Sequence, residues 1–435
     1  MSVAAPAILY YADDFTGATD TLAIATRAGL RTLLFLKQPN AARLDEAGPL
    51  DCIGIAGAAR AMGPQEMRAE LAPVAELFKA LGARVLHYKT CSTFDSAPLV
   101  GSIGVAVDVL RRAVAQPWAA IVGGQPALGR YCLFGHLFAS AGAGGEVHRI
   151  DRHPTMSRHP VTPMHEADLR RHLALQGLAQ VRLLPYTAYV TPARLRGELQ
   201  ARLASTPPDA LLFDVADDEQ LDAIGAALWE RACQASLLAV GPSSVVQALA
   251  PRLAGPSPAP WPSRIGPAPG PVFVLAGSLS PVTEQQIRAA RSYELMWLAP
   301  QQLMQPAGCA ALAQQMAQRL ASGCHVLACL RRPDPSSDAG QVSARELAQA
   351  GGALLARVLD QVRPGRIGIA GGDTSSHAVQ ALDAWGLSCV GSVGPGSALC
   401  RLHAGAAPLD DMEIMLKGGQ MGSEDVFERL VHGHG

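Results

Sequence analysis

Short apolar runs alternate with longer segments of helical period along most of the chain. Residues 7–11, 31–36, 51–56, 84–88 and 119–122 read as strands, separated by helical stretches such as 64–81 and 102–115. Beyond residue 271 the alternation resumes, with strands over 272–276, 294–298, 325–330 and 366–370 and helices over 283–291, 309–322 and 344–362. Such alternation predicts parallel sheets covered by helices. The pattern therefore implies an α/β protein of two domains, each a mostly parallel sheet flanked by helices. No internal repeat is legible.

Between the halves lies 251–271, PRLAGPSPAPWPSRIGPAPGP, where dense proline removes backbone donors and disfavours helix and central strand alike. It divides the chain into 1–250, a linker 251–271, and 272–435. The formal net charge of −1, with no Lys/Arg-rich run, argues against nucleic acid as a partner. No apolar segment has membrane-spanning length, and the first residues lack a signal-peptide pattern, so a cytoplasmic protein is expected. The nine cysteines are scattered without a CxxC pair and read as buried small hydrophobes. The oligomeric state stays open, a homo-oligomer included.

The first strand delivers Ala12-Asp13-Asp14-Phe15-Thr16-Gly17 to the start of a helix. One acid suffices as an N-cap. A second beside it, at the strand end where open α/β sheets bind ligands, points to polar substrate chemistry. Another strand ends in Lys89, followed by Thr90, Ser92, Thr93 and Ser96, with Gly101 to Gly104 opening a helix. One cation, several hydroxyls and a free helix N-terminus suit a carboxylate or phosphate; a capped helix with a surface lysine is the plainer alternative. Residues 150–164 hold Arg152, His153, Arg158 and His159 among three prolines. For that loop, substrate contact and plain surface stand level, and the histidine spacing does not make a metal site.

Four glycine-rich features occupy the second half. Gly277-Ser278 follows a strand, with Thr283 leading into a helix, and Gly371-Gly372-Asp373-Thr374-Ser375 also joins strand to helix. Gly394-Pro395-Gly396-Ser397 is a tight turn, and Lys417-Gly418-Gly419-Gln420 comes with Gly422 and Asp425. Unpaired amides in such loops cradle phosphate oxygens. None matches Walker A, and no G-x-G-x-x-G opens the first βα unit, which weakens a dinucleotide reading. Each alone could be a turn or a cap. Four in one domain favour nucleotide phosphate.

Taken in order, Asp13 to Gly17, Lys89 to Thr93, Gly277 to Thr283, Gly371 to Ser375 and Lys417 to Asp425 form a recognisable series. They resemble the D-D-x-T-G, K-x-x-S-T, G-S-x-S-x-x-T, G-G-D-T-S and K-G-G-x-x-G-x-x-D elements of the four-carbon acid sugar kinase family. The resemblance implies an ATP-dependent kinase with the sugar acid in the N-terminal domain, the nucleotide in the C-terminal one and the active site in the interdomain cleft. It implies ATP and Mg²⁺, the metal bridging phosphate oxygens with few protein ligands. CSTFDS and HPVTPM resemble the branch acting on 3-oxo sugar acids. YYADDFTGATD, GRYCLFGHLFA and DRHPTMSRHPVTPM resemble the subgroup that makes the 4-phosphate of 3-oxo-isoapionate, with 3-oxo-tetronate, threonate and erythronate as alternatives. Gly241-Pro242-Ser243-Ser244 departs from the Gly-Ser-Ser-Gly of many relatives, and the proline should stiffen that loop.

The same resemblance suggests roles. Asp13, Asp14 and Asp373 are candidates to take the substrate's hydroxyl proton. In one assignment Asp373 is the base or magnesium partner, while Asp13 and Asp14, with Thr16 and Gly17, hold substrate hydroxyls. In the other, Asp14 is the base. Lys89, with Arg60 and Arg158, would neutralise the substrate carboxylate beside Ser92 and Thr93. Ser278, Gly371, Gly372, Thr374, Gly394, Pro395, Gly396, Ser397 and Gly418 would line the nucleotide pocket. The rivals are an NAD(P)-dependent hydroxy-acid dehydrogenase and a non-catalytic sugar-acid sensor. The first lacks its fingerprint, and the second has no use for phosphate loops.

Overall fold

In the computed structural model, described over residues 5–142, 144–159, 161–204, 206–255, 261, 264–332, 342–405 and 409–433, the chain separates into two units, Met1–Pro260 and Trp261–Gly435. Part of the proline-rich segment, 256–260 and 262–263, lies outside the described residues.

The first unit contains β1 (Ile8–Ala12), β2 (Thr32–Phe35), β3 (Cys52–Ala56), β4 (Val85–Lys89) and β5 (Ala119–Val122). A small antiparallel sheet follows, β6 (Arg130–Leu133), β7 (His136–Ser140) and β8 (Val147–Arg149), then β9 (Val181–Leu184), β10 (Ala210–Phe213) and β11 (Leu237–Gly241). The main sheet runs β2-β3-β1-β4-β11-β5-β10-β9, with every neighbouring pair parallel. β1 and β4 are buried along their whole length, which is why their runs read as apolar without alternation. Tyr10 sits opposite Gly54 in the register, and its hydroxyl donates to the Ala18 carbonyl at 3.1 Å, tying the following helix to the sheet. A Cβ at Gly54 would overlap that phenol, so the glycine admits the tyrosine.

The second unit contains β12 (Val272–Ala276), β13 (Tyr293–Leu298), β14 (His325–Leu330), β15 (Arg366–Ala370), β16 (Ala384–Gly394), β17 (Ser397–Ala404) and β18 (Glu413–Lys417). Neighbours β13-β14-β12-β15-β18 are parallel, and β17 and β16 continue antiparallel. The expected α/β class, with mostly parallel sheets, is what the chain adopts. Its first four strands lie in the order second-third-first-fourth, as do the first four of the other unit. In both units the chain therefore turns to opposite sides after the first and fourth strands. That reversal opens a crevice at the strands' carboxyl ends, where open sheets bind ligands. Among the described residues no helix is long and apolar enough to cross a membrane.

Candidate functional site

In the first unit the reversal falls between β1 and β4, and their ends carry the residues singled out above. Ala12 is level with Lys89, so Asp13 and Asp14 leave the sheet beside the lysine. Asp13 continues the ladder, its amide donating to the Lys89 carbonyl at 3.0 Å. Asp14 caps the helix Phe15–Arg27, accepting from the Gly17 amide at 2.9 Å and from the Thr16 hydroxyl at 2.7 Å. Arg60 arrives from the turn after β3, placing its guanidinium 2.9 Å from Asp13 Oδ1 and 3.1 Å from Asp14 Oδ1. Asp14 is thus the helix cap, and the acid pair and Arg60 form one buried cluster with it.

The two carboxylates differ electrostatically. Burial pushes the Asp13 carboxyl above the usual range; Arg60 opposes this and Asp14 reinforces it. Burial acts on Asp14 too, but Arg60, Lys89, the Thr16 hydroxyl and the Gly17 amide together hold it below that range. Asp14 accepts from Thr16, Gly17 and Arg60, whereas among the described residues Asp13 accepts side-chain hydrogen bonds from Arg60 alone. Lys89 is 3% exposed, and among the described residues no carboxylate pairs with it directly.

Gly17 makes room for this lysine. A Cβ there would overlap both Lys89 Nζ and Asp14 Oδ1. Gly17→Ala should displace the ammonium while leaving the fold intact, because the end of a flexible side chain gives way first. A KM for the acidic substrate raised about 10- to 100-fold, with that for nucleotide little changed, is expected from steady-state kinetics.

Several polar groups of the Lys89 block are taken up within the fold. Thr93 donates to Asp95 at 2.6 Å, and Ser96 bonds Gln176 and His172 in a buried network. The helix N-terminus expected to be free at Gly101 to Gly104 is closed. Ser102 accepts from the Val105 amide, and Gln176 Oε1 accepts from that of Ile103 at 2.8 Å. Ser102 is a local cap, and the second acceptor is a glutamine distant in sequence, which no local spacing reveals. Ser92 remains half-buried at the loop's edge.

Arg158 is placed differently from Arg60. It is exposed on the turn Met156–Arg158, and among the described residues no contact links it to the acids. His153 and His159 staple their loop by accepting backbone amides of Thr155, Met156 and Thr162. The stiffened Gly241-Pro242-Ser243-Ser244 loop is a scaffold: Ser243 donates to Asp20 and Ser244 to the Gly124 carbonyl, both at 2.5 Å. A depression of about 820 Å³ lined by Pro6, Ala83, Arg84 and Ser236 lies at the opposite, amino ends of β1, β4 and β11 and contains none of these groups.

In the second unit the reversal falls between β12 and β15. Ala276, Ala370 and Lys417 form one row across β12, β15 and β18, so Gly277, Gly371 and Gly418 leave three adjacent strands at the same level. The loops then close on one another. The amides of Gly277 and Ser278 donate to the Ala370 carbonyl, that of Gly371 to Lys417, and the Thr283 hydroxyl to Gly419. A Cβ at Gly277 would overlap Thr374, one at Gly419 would crowd Ser278, and one at Gly396 would overlap Met421. Gly371 has φ +126°, a backbone that glycine alone adopts readily. The helix Gly372–Gln380 that follows has no side-chain cap, leaving first-turn amides for an anion. Asp373 stands exposed in that turn, without a partner among the described residues. Pro395 and Gly396 form the two-residue turn between β16 and β17, as expected of a tight turn, and Ser397 Oγ beside it is buried without a partner among the described residues.

Residues 8–249 match the family model described as a sugar-binding N-terminal domain, and 273–427 that of a nucleotide-binding C-terminal domain. The chain belongs to the four-carbon acid sugar kinase family. Among curated four-carbon acid sugar kinases, it is 37% identical to the 3-oxo-isoapionate kinase of Paraburkholderia graminis, over 98% of this chain and 94% of that protein. It is 30% identical to the 3-oxo-tetronate kinase of Methylobacterium radiotolerans over 97% of each. The crystal structure of Haemophilus influenzae protein HI1011 superposes with a TM-score of 0.70 at 26% identity, covering 97% of this chain and 98% of that one.

In the sequence of this kinase Gln286 carries no signal, and Lys417 reads only as the start of the last glycine-rich element. Gln286 donates to the carbonyls of Met421, Gly422 and Ser423 and so shapes the last glycine loop. Lys417 ends an apolar strand as Lys89 does, a signal applied to one and not the other. It is fully buried, donates to the Thr283 hydroxyl at 3.3 Å, and burial pushes its pKa down to about 7. An unfolded lysine titrates near ~10.4, so between about pH 7 and that value the unfolded chain binds the extra proton and stability rises with pH. Lys417→Met should flatten that slope and raise Tm most towards neutral pH, as melting curves across pH would record.

Proposed function

We propose that this kinase transfers the γ-phosphoryl group of Mg-ATP to the terminal hydroxyl of a small 3-oxo sugar acid, with 3-oxo-isoapionate as the preferred acceptor. The observation that carries the reading is the pairing of two dissimilar clusters at equivalent points of two sheets. One holds acids and cations suited to a polyhydroxy acid, the other converging glycine loops suited to phosphates. The name of the Paraburkholderia relative and the subgroup motifs favour 3-oxo-isoapionate; the tetronate kinases keep 3-oxo-tetronate as the second choice.

In this reading Asp13 takes the hydroxyl proton. Its carboxyl is the more basic of the pair, and Asp14 is occupied as a cap. Asp14, Thr16 and the Arg60 cation hold the acceptor's oxygens in place, and Lys89 supplies positive charge to an anionic substrate. The amides at Gly371 to Thr374, with Ser278, Gly396, Ser397 and Gly418, hold the nucleotide, and Asp373 faces its phosphate side. The buried, unpartnered Ser397 hydroxyl fits a polar ligand there. Mg²⁺, when bound, neutralises charge on the phosphates; among the described residues no three His, Cys, Asp or Glu side chains are grouped to hold a metal alone. The acceptor hydroxyl must meet the γ-phosphate in line, so both clusters act in one turnover.

Thermal shift separates this from the dehydrogenase and sensor readings. Mg-ATP should raise Tm in a concentration-dependent way and NAD(P) should not, because only a native-state ligand shifts the unfolding equilibrium. Stabilisation by NAD(P) instead, or by neither, contradicts the proposal.

A further inference from the structure

Arg130 and Arg366 are the two arginines in the described residues whose side chains are almost wholly buried. Arg366 is neutralised by Glu413 at 2.6 Å. Arg130, 7% exposed, has no carboxylate partner among the described residues. Its Nη1 donates to the nearby Leu128 carbonyl, and its buried Nε has no partner among those residues. Burial pushes the guanidinium below its ordinary pKa, and the groups that oppose this are Cys91 and Tyr131, not an acid. A buried, uncompensated cation is costly, and one that persists calls for an anion that arrives from outside.

Its surroundings place that anion at the sugar-acid site. Arg130 opens β6, and its backbone exchanges two hydrogen bonds with Gln125. The Gln125 side chain donates to Asp20 at 3.0 Å, on the same helix that Asp14 caps. Gln125 lies just past the carboxyl end of β5, which runs parallel to β11 and β4, so the hairpin stands at the end of the sheet that carries Asp13, Asp14 and Lys89. On its other side the hairpin meets the loop around His153: Ala139 pairs with Arg130, and the carbonyl of the next residue, Ser140, bonds the His153 ring at 3.3 Å. The β6–β7 turn is clamped by Asp214, which accepts from the amides of Phe134 and Gly135 at 2.6 and 2.9 Å. The arginine is held on a fixed hairpin.

We infer that Arg130 binds the carboxylate of the sugar acid. This rests on the functional reading above and refines it: Arg60 is already paired with Asp13 and Asp14, Arg158 is exposed, and Lys89 is left for the oxo and hydroxyl oxygens near the acids. A planar guanidinium can grip a carboxylate through two donors, which an ammonium cannot.

The test is calorimetric binding of 3-oxo-isoapionate and of its primary carboxamide, without nucleotide, to wild type, Arg130→Met and Arg130→Gln. Wild type should prefer the acid by about 100-fold, and both variants should lose that preference while binding the amide within about threefold of wild type. Their Tm should be unchanged or higher, since an unpaired buried cation has been removed. Variants that keep the acid preference, or that both lose Tm, make Arg130 structural and overturn the inference. A wild type that phosphorylates the acid yet binds acid and amide alike overturns it too, with the kinase reading intact. A wild type that neither binds nor phosphorylates a sugar acid overturns the kinase reading first and the inference with it.

Discussion

Asp13→Asn should lower kcat about 10³-fold while the thermal shift given by Mg-ATP persists, as general-base losses of this kind do. Asparagine keeps the shape of the side chain and the backbone bond to Lys89, so the strand end is preserved. What disappears is the one carboxylate of the pair whose basicity burial has raised. Asp14→Asn should behave differently. Asparagine is an equally good N-cap, so the helix stays anchored, and the loss falls mainly on KM for the acid. An Asp14→Asn enzyme without turnover beside an active Asp13→Asn enzyme would move the base to Asp14. Because Asp13 must be ionised, kcat/KM should fall as pH drops through a pKa above the ordinary carboxylate range.

Arg60→Met should be the most destabilising single change at this site, costing about 3–5 kcal/mol. It strands two buried carboxylates that the guanidinium now holds at 2.9 and 3.1 Å. The pH dependence gives the signature. In wild type, Asp14 is held below its ordinary pKa, so its contribution is present at neutral pH and fades as pH falls through that lowered value. In the variant both acids would sit above their ordinary values, binding protons in the folded state and losing stability as pH rises. The Tm deficit of Arg60→Met should therefore shrink between about pH 8 and about pH 5. A deficit that is constant with pH would mean that Arg60 acts through packing alone.

The strand ends proposed to carry chemistry were legible because their signals are local. Asp13 and Asp14 close an apolar run, Lys89 closes another, and Gly371 follows a third; each is where the chain places it at the rim of a sheet. What stayed hidden is non-local. β10 and β11 are four- and five-residue apolar runs, too short to tell strand from buried helix. β16 is interrupted by glycines and paired with register shifts, so no clean alternation marks it. The shared second-third-first-fourth strand order left no repeat in the sequence because it is a property of pairing, not of residue identity. Gln176, Gln286 and Arg130 draw their meaning from partners or surroundings distant along the chain. Arg60 offered one faint clue, a lone cation among alanines in AGAARAMG.

The measurement that bears most directly on the central claim is a coupled ADP-release assay with Mg-ATP against 3-oxo-isoapionate, 3-oxo-tetronates, threonate and erythronate. Turnover is predicted for the 3-oxo acids, highest with 3-oxo-isoapionate, and dependent on Asp13. Turnover of threonate or erythronate in preference would contradict the substrate assignment. Absence of ADP release with every acid, together with no stabilisation by Mg-ATP, would contradict the kinase itself.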